Sequence, residues 1–293
     1  MTENQVKAFA EYCRRGVIEP EIRALTTAGL GFPLSPTMLV YLEKEESRWP
    51  VQKLASTFQS QVGVSKVAYA MADPQPEIIA EGGAYPETTP EFDGCELQLY
   101  KIGGLAKVSE ELMFDAGIDI EKLLGNSFGR ALAIKREKTF INGDGVGKPR
   151  GFLIDCQTVN AAGTVVSYSD VVTLYQKLTE ETIAFSSWLT NRDTLPLLTE
   201  MVDAAGNKVL TPDLSGETAG FILGLPVYVT FMPTDKPLAF GDFSKFVIME
   251  QIASIKRLEE RFKEFGIVGF TFFQRLSGRL VDTSAIAALS LEV

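Results

Sequence analysis

The sequence predicts an α+β fold. Three observations carry that expectation: one long segment of helical periodicity near residues 119–141, short strands and helices alternating beyond Gly151, and a β-rich finish from Ser254 onward.

From the N-terminus, residues 1–35 hold little pattern beyond a short helical stretch at Val6–Arg14. Gly16, Pro20, Gly29, Gly31 and Pro33 punctuate them, so they read as an extended arm. A helix is expected from Pro36 to Arg48, with Met38, Leu39 and Leu42 on one face and Pro50 ending it. Val51–Ala70 reads as extended. The stretch 63–107 begins and ends like strands and is acidic, Pro-rich and Gly-rich between, as in Glu81-Gly-Gly-Ala-Tyr85-Pro-Glu87. Such excursions are uncommon inside compact domains, and the flanking strand signals predict a long protruding hairpin with exposed edges.

Ser109-Glu110-Glu111 then opens a helical region, with acids in the first turn. Asp119 caps the long helix, whose apolar positions Ile120, Leu123, Leu124, Phe128, Ala131, Leu132 and Ile134 share a face. Arg130, Lys135, Arg136, Glu137 and Lys138 read as its charged side, and Asn142-Gly143 as a left-handed stop. At ~1.5 Å per residue this helix spans roughly 33 Å. Further on, strands are expected at Val165–Tyr168, Ala184–Leu189, Gly220–Leu223, Pro226–Thr230, Phe246–Met249, Ser254–Leu258, Val268–Gln274, Arg279–Asp282 and Ala285–Leu291. Ser169-Asp170 and Asn191 are expected to cap helices.

Composition bounds function. At 293 residues with 45% apolar and 23% charged side chains, the chain can bury one sizeable core or two joined ones. Its net charge of −10 disfavours a nucleic-acid groove, although a container for DNA also gains from a wall that does not stick to its contents. The three cysteines, Cys13, Cys95 and Cys156, form no Cys-x-x-Cys pair and read as reduced, buried thiols of a cytoplasmic protein. Neither a signal peptide nor a run of 18 apolar residues is present, so no membrane role is expected. Histidine is absent altogether, which removes the commonest general base and metal ligand and shifts the balance from catalysis to binding or structure. No catalytic residue, cofactor or metal is expected.

Two motifs tempt other readings. Gly143-Asp-Gly145-Val-Gly147-Lys148-Pro149 approaches a phosphate loop, but Asn142 stands at the first Gly position and Pro149 at the hydroxyl position, so a structural turn is expected. The carboxylates Glu110, Glu111, Asp115 and Asp119 could serve a metal-dependent hydrolase, yet acids at helix starts already have an electrostatic reason to be there. The sign-alternating run Lys256-Arg257-Leu-Glu259-Glu260-Arg261-Phe-Lys263-Glu264 is open to two readings, a solvated turn or an ion-pairing surface to a neighbouring subunit.

The stretch from Glu81 to Leu153 carries a resemblance. Its pieces are Glu81 to Glu87, Lys107-Val-Ser-Glu-Glu-Leu112-Met-Phe-Asp115, Asp119-Ile-Glu121, Phe140-Ile-Asn-Gly143-Asp-Gly145 and Pro149-Arg-Gly151-Phe-Leu. The pattern continues in Trp188-Leu-Thr-Asn191, Leu223-Gly-Leu-Pro-Val227, Phe240-Gly-Asp-Phe243 and Arg279-Leu. In order and spacing this resembles the major capsid proteins with the HK97-like fold, from tailed double-stranded-DNA bacteriophages. The resemblance implies an N-terminal arm at 1–35, a peripheral domain beginning at 36–62 and an extended hairpin loop at 63–107. It implies a spine helix region at 108–149, an axial domain at 150–243, peripheral return strands at 244–282 and a C-terminal strand at 283–293.

It further implies self-assembly as pentamers and hexamers into an icosahedral shell enclosing DNA without sequence-specific binding. Scaffold, portal and maturation protease would be partners during assembly in the host cytoplasm. Glu81, Tyr85, Glu87, Arg257, Glu259, Glu260, Arg261 and Lys263 become the expected subunit-interface residues. The related alternative is the shell subunit of an encapsulin-type compartment. Relatives' long scaffolding segment has no counterpart here: it is absent, replaced by a separate scaffold, or the sequence begins at the mature end. The Lys–Asn cross-link of some relatives is not expected, since no lysine lies between Val67 and Lys101.

Overall fold

The computed structural model describes residues 32–33, 48–60, 63–72, 79, 91–111, 120–251, 253–258, 262 and 265–291. The expected helix at 36–48 lies almost wholly outside these residues, as does nearly all of the arm.

Two sheets organise the chain. The first has six strands: β1 (Phe32–Pro33), β2 (Ser56–Gln59), β5 (Tyr100–Ser109), β12 (Phe246–Glu250), β13 (Ser254–Leu258) and β14 (Ile267–Leu280). β14 is the centre. One edge pairs with β5 through ten residues, from Ile267↔Ser109 to Leu276↔Tyr100. The other edge pairs first with β13 and then with β12, all antiparallel. The expected strands at 268–274 and 279–282 are therefore one strand. Gln274 and Ser277, which interrupt the apolar run in sequence, are both buried within it.

The second sheet has seven strands in the order β6 (Gln157–Asn160), β15 (Ile286–Ser290), β11 (Leu238–Gly241), β7 (Ser187–Thr190), β10 (Leu225–Val229), β9 (Gly220–Ile222) and β8 (Leu210–Thr211). β9 and β10 meet at a two-residue turn, Leu223–Gly224, with both residues at positive φ, the arrangement that suits strand twist in a tight hairpin. β3 (Val64–Ala72) and β4 (Glu91–Gln98) form a two-stranded hairpin that is hydrogen-bonded to neither sheet.

Short helices punctuate these strands. Pro50 opens α1 (Pro50–Leu54), where its missing N–H costs nothing. α2 (Ile120–Asn142) is the expected long helix, and α3 (Phe152–Asp155) follows a tight return. At that return a Cβ on Gly143 would strike Pro149 O, so close approach, not a left-handed backbone, demands glycine. No strand forms at Val165–Tyr168. Asp170 accepts from Ser167 N–H at 2.9 Å, which makes Ser167 the N-cap of α4 (Tyr168–Lys177). α5 (Glu180–Ile183) and α6 (Leu195–Glu200) follow.

One apolar cluster joins the two sheets. Phe140 and Ile141 from α2, Phe152 from α3, Phe246 and Ile248 from β12, Leu276 and Leu280 from β14, and Leu189, Ala239 and Ile286 from the second sheet pack together. Phe140 and Phe152 each meet Phe246 edge-on. Gly278 belongs to this packing, because a Cβ there would press on Phe246 and Phe140. A second cluster lies under α4 and α6, centred on Trp188 stacked on Phe240 at 4.1 Å.

Two residues expected on the charged side of α2 are buried instead. Arg136 Nη2 pairs with Glu250 at 2.8 Å and its Nη1 donates to Gln274 at 3.2 Å, tying the helix to β12 and β14. Glu137, wholly buried, accepts from Val51 N–H at 3.1 Å, Gln52 Nε2 at 3.2 Å and Thr230 Oγ1 at 2.7 Å. It thus joins α2 to α1 and to the residue following β10. Removing it orphans three donors, so Glu137→Ala should cost about 3 kcal/mol in denaturant unfolding, at the upper end for a buried hydrogen-bonding group. Desolvation holds its carboxyl above the usual 4.5 in spite of those donors. A carboxyl raised in this way binds a proton on folding, so its contribution grows as pH falls through the folded value towards 4.5. The stability of the native chain relative to Glu137→Gln should therefore improve as pH drops from about 7 to about 5. A difference that does not change with pH would count against this reading.

Candidate assembly surface

The hairpin and the sheet face beneath it form the most distinctive surface. β3 and β4 pair from Val64↔Gln98 to Ala72↔Glu91, with a bulge between Ala70 and Ala72. Strand alternation puts Cys95 and Leu97 on the buried side of β4 and Glu96 and Gln98 on the exposed side. Cys95 and Leu97 pack with Met249 and Val281, flanked by Phe58, Val67, Leu99 and Val247. Arg279 Nη1 reaches Glu96 O at 3.5 Å. The base of the hairpin is thereby fixed over one half of the first sheet, on the face turned away from α2.

Among the described residues, the other half of that face is exposed along β5. Lys101, Gly103, Leu105 and Lys107 of β5 alternate outward, while Val108 is buried and Ile102, Gly104 and Ala106 are partly so. Gly103 and Gly104 leave room for the rings of β14, since a Cβ at Gly104 would strike Phe272. Phe272 stacks on Phe128 of α2 at 4.1 Å, which fixes the opposite face as the inner one. On the open face Lys101 Nζ lies 4.3 Å from the centre of the Phe273 ring and Lys107 Nζ 4.6 Å from that of Phe262. Arg275, opposite Lys101 in the register, is also exposed.

Of the expected interface residues, Glu81, Tyr85 and Glu87 lie outside the described residues, as do Glu259, Glu260, Arg261 and Lys263. Arg257 is placed on β13, opposite Phe270 in the register. The sequence reading passed over Lys101, Lys107 and Arg275. Their signal was the alternation of Tyr100–Ser109, which gains meaning only once β5 is paired with β14.

The groups that could suggest chemistry have other engagements. Asp144 accepts from Val146 N–H at 2.9 Å and pairs with Lys148 at 3.0 Å, so the lysine of the phosphate-loop-like segment closes its own turn. Burial pushes the Cys156 thiol up to about 11, which keeps it protonated at neutral pH. Backbone donation from Ser215, with the Thr218 and Ser215 hydroxyls, lowers Asp213 to about 2 within its own loop. Among the described residues no group of three or more Cys, Asp or Glu side chains could hold a metal ion, and no helix is long and apolar enough to cross a membrane.

Comparison with known proteins places this arrangement. The family model described as the phage capsid family matches residues 37–291. Among solved structures, the capsid of a native GTA particle computed with C5 symmetry is 24% identical, with a TM-score of 0.68 over 95% of this chain and 97% of that one. A chain from Gordonia phage Cozz is 14% identical, with a TM-score of 0.61 over 83% and 86% of the two chains. A chain from Mycobacterium phage Cain is 16% identical, with a TM-score of 0.58 over 98% of both. No curated protein matches.

Leu97, about 1% exposed, is the main apolar peg of the hairpin base. Leu97→Ala should cost about 2–5 kcal/mol where the site cannot collapse. Hydrogen exchange should then show β3 and β4 amides losing protection while those of β12 and β15 keep theirs. Equal loss everywhere would mean that the hairpin base and the core unfold as one unit.

Proposed function

The chain belongs to the phage capsid family and is a structural shell protein, and from that premise we propose that it self-assembles as pentamers and hexamers into an icosahedral shell around double-stranded DNA. The family match across residues 37–291 carries this reading. The six-stranded sheet with α2 serves as the peripheral domain, α2 being its spine, and the seven-stranded sheet as the axial domain. The hairpin, expected over 63–107 but made by β3 and β4 alone because residues 100–109 join the first sheet as β5, acts with the arm at 1–35 as a strap onto neighbouring copies. The subunit performs no catalysis. A scaffold, a portal and a maturation protease act with it during assembly in the host cytoplasm.

Physical observations support the reading. Phe185, Leu214 and Phe265 are at least 73% exposed in the single subunit. Covering each would contribute about 1.5–3 kcal/mol per contact, and a closed shell repeats every contact many times. The GTA neighbour was solved as a particle capsid with C5 symmetry.

Electron microscopy and sedimentation of purified protein should show closed shells or five- and six-membered rings. A strict monomer at every protein concentration and salt would sink the proposal. Native particles analysed by mass spectrometry should contain DNA and no enzyme cargo. Replacing residues 73–90 with a short Gly-Ser link should leave a folded subunit, since the Leu97 anchor and both sheets are untouched. That subunit should form no shells, and normal shells from it would refute the strap role.

A further inference from the structure

We propose that the basic outer stripe of α2, Arg130, Lys135 and Lys138, together with Lys53 of α1, lines the inside of the shell and touches the phosphates of the enclosed DNA. The inference rests on the assembly reading above and names the face that meets the contents.

Helix geometry creates the stripe. Arg136 and Phe140 enter the protein interior, and Lys138 lies two residues from each, roughly 200° around the helix. Arg130, Ala131, Lys135 and Lys138 are accordingly exposed in one band, with Ile134 partly so. Arg130 and Lys138 stand about 12 Å apart along the axis. The band holds three cations, and the one carboxylate between its ends, Glu137, is wholly buried.

α1 extends the band. Gln52 Nε2 donates to Ala133 O at 2.9 Å and Val51 N–H donates to Glu137, which seats α1 on α2 with Lys53 exposed. Lys138 Nζ lies 4.7 Å from the centre of the Phe231 ring and Lys53 Nζ 5.8 Å from that of Tyr228. Trp49 backs Phe231 at 4.7 Å. The rings hold both ammonium groups in place without neutralising them. Other cations of the body are already committed: Arg136 to Glu250, Lys148 to Asp144 and Arg150 to Asp155. Among the described residues, none of the four cations named above reaches a carboxylate.

DNA fits this surface by charge and by spacing. A row of cations without an exposed carboxylate between them matches a duplex, which carries one phosphate charge per ~1.7 Å of its axis. The net charge of −10 does not prevent the contact. At ~0.15 M salt fields fade over about 8 Å, so DNA at the wall feels the side chains it touches and not the whole chain. A few contacts per subunit are individually weak, and their repetition over a closed shell makes the sum count. Contacts to phosphate alone read no sequence. The opposite face of the first sheet also bears lysines, but the hairpin base takes up part of it.

The test compares wild-type shells filled with DNA and the same shells emptied of it. Acetic anhydride, small enough to pass the wall, labels neutral amines, whereas a phosphate beside an ammonium favours its charged form. Mass spectrometry should therefore find Lys53, Lys135 and Lys138 labelled about tenfold more slowly in filled shells, with Lys101 and Lys107 labelled alike in both. A second arm uses Lys135→Gln with Lys138→Gln, changes that keep helix propensity. These shells should close at the normal rate yet release DNA roughly tenfold faster on warming at low salt, and the gap should close at high salt. Circular dichroism confirms that the variant is folded, and the labelling arm requires no variant. Stripe lysines that label fast in both states, or a variant that holds DNA as firmly as wild type, overturn this proposal alone. Lysines slow in both states, or a folded variant that closes no shells, overturn it in favour of a contact between subunits. Protection of Lys101 and Lys107 instead overturns it in favour of the opposite face. Failure of the wild-type chain to form shells sinks the assembly reading and takes this one with it.

Discussion

Everything in the subunit depends on the apolar cluster where the end of α2 meets both sheets. Phe140, Phe152 and Phe246 lock edge-to-face, with side chains of β14 on one side and of β7, β11 and β15 on the other. The two sheets therefore share a core, and neither can shift without opening the other. Arg136 and Glu137 stand one turn before Phe140 and make the same joint specific. Each buries a polar head group that only the native arrangement of α1, β12, β14 and Thr230 satisfies. Apolar packing supplies most of the cohesion, and the polar pair selects one arrangement of it.

Beyond that joint the order of the molecule is graded. The hairpin is held at its base by a much smaller cluster, four buried residues with four partly buried neighbours. Among the described residues few apolar contacts join that base to the body, so local opening there costs less than opening the shared core. A subunit with a stiff body and a weakly tethered extension can meet partners at slightly different angles, which a shell of pentamers and hexamers requires of identical chains.

Much of this was legible in the sequence, for identifiable reasons. α2 announced itself through its 3.6-residue period and ended at Asn142 as read. β13 followed from local pattern, whereas the turn expected at Gly224–Leu225 formed one residue earlier, at Leu223–Gly224. Where local reading failed, distant residues decided. Arg136 and Glu137 look like surface charges until Gln274, Glu250, Val51 and Thr230 arrive from far along the chain. β14 looked like two strands split at residues 275–278, where Arg275, Ser277 and Gly278 interrupt the apolar run, although Ser277 and Gly278 are buried in the central strand. The hairpin was visible from its flanks, whereas the cationic face beside it was not. A face exists only after β5 has been laid against β14 and the hairpin base has covered the other half.

The direct run of β4 through Leu99 into β5 has a mechanical consequence. A pull on the hairpin, from contents pressing outward or from a neighbour drawing away, travels along the backbone into β5. That strand is held to β14 by a ladder ten residues long lying along the direction of pull. Loaded in shear, such a ladder cannot unzip one rung at a time; its bonds share the tension and must yield together. The resistance is then kinetic, set by the rate of forced opening and not by the equilibrium strength of any single bond. A slender extension can in this way bear load for a wall one subunit thick.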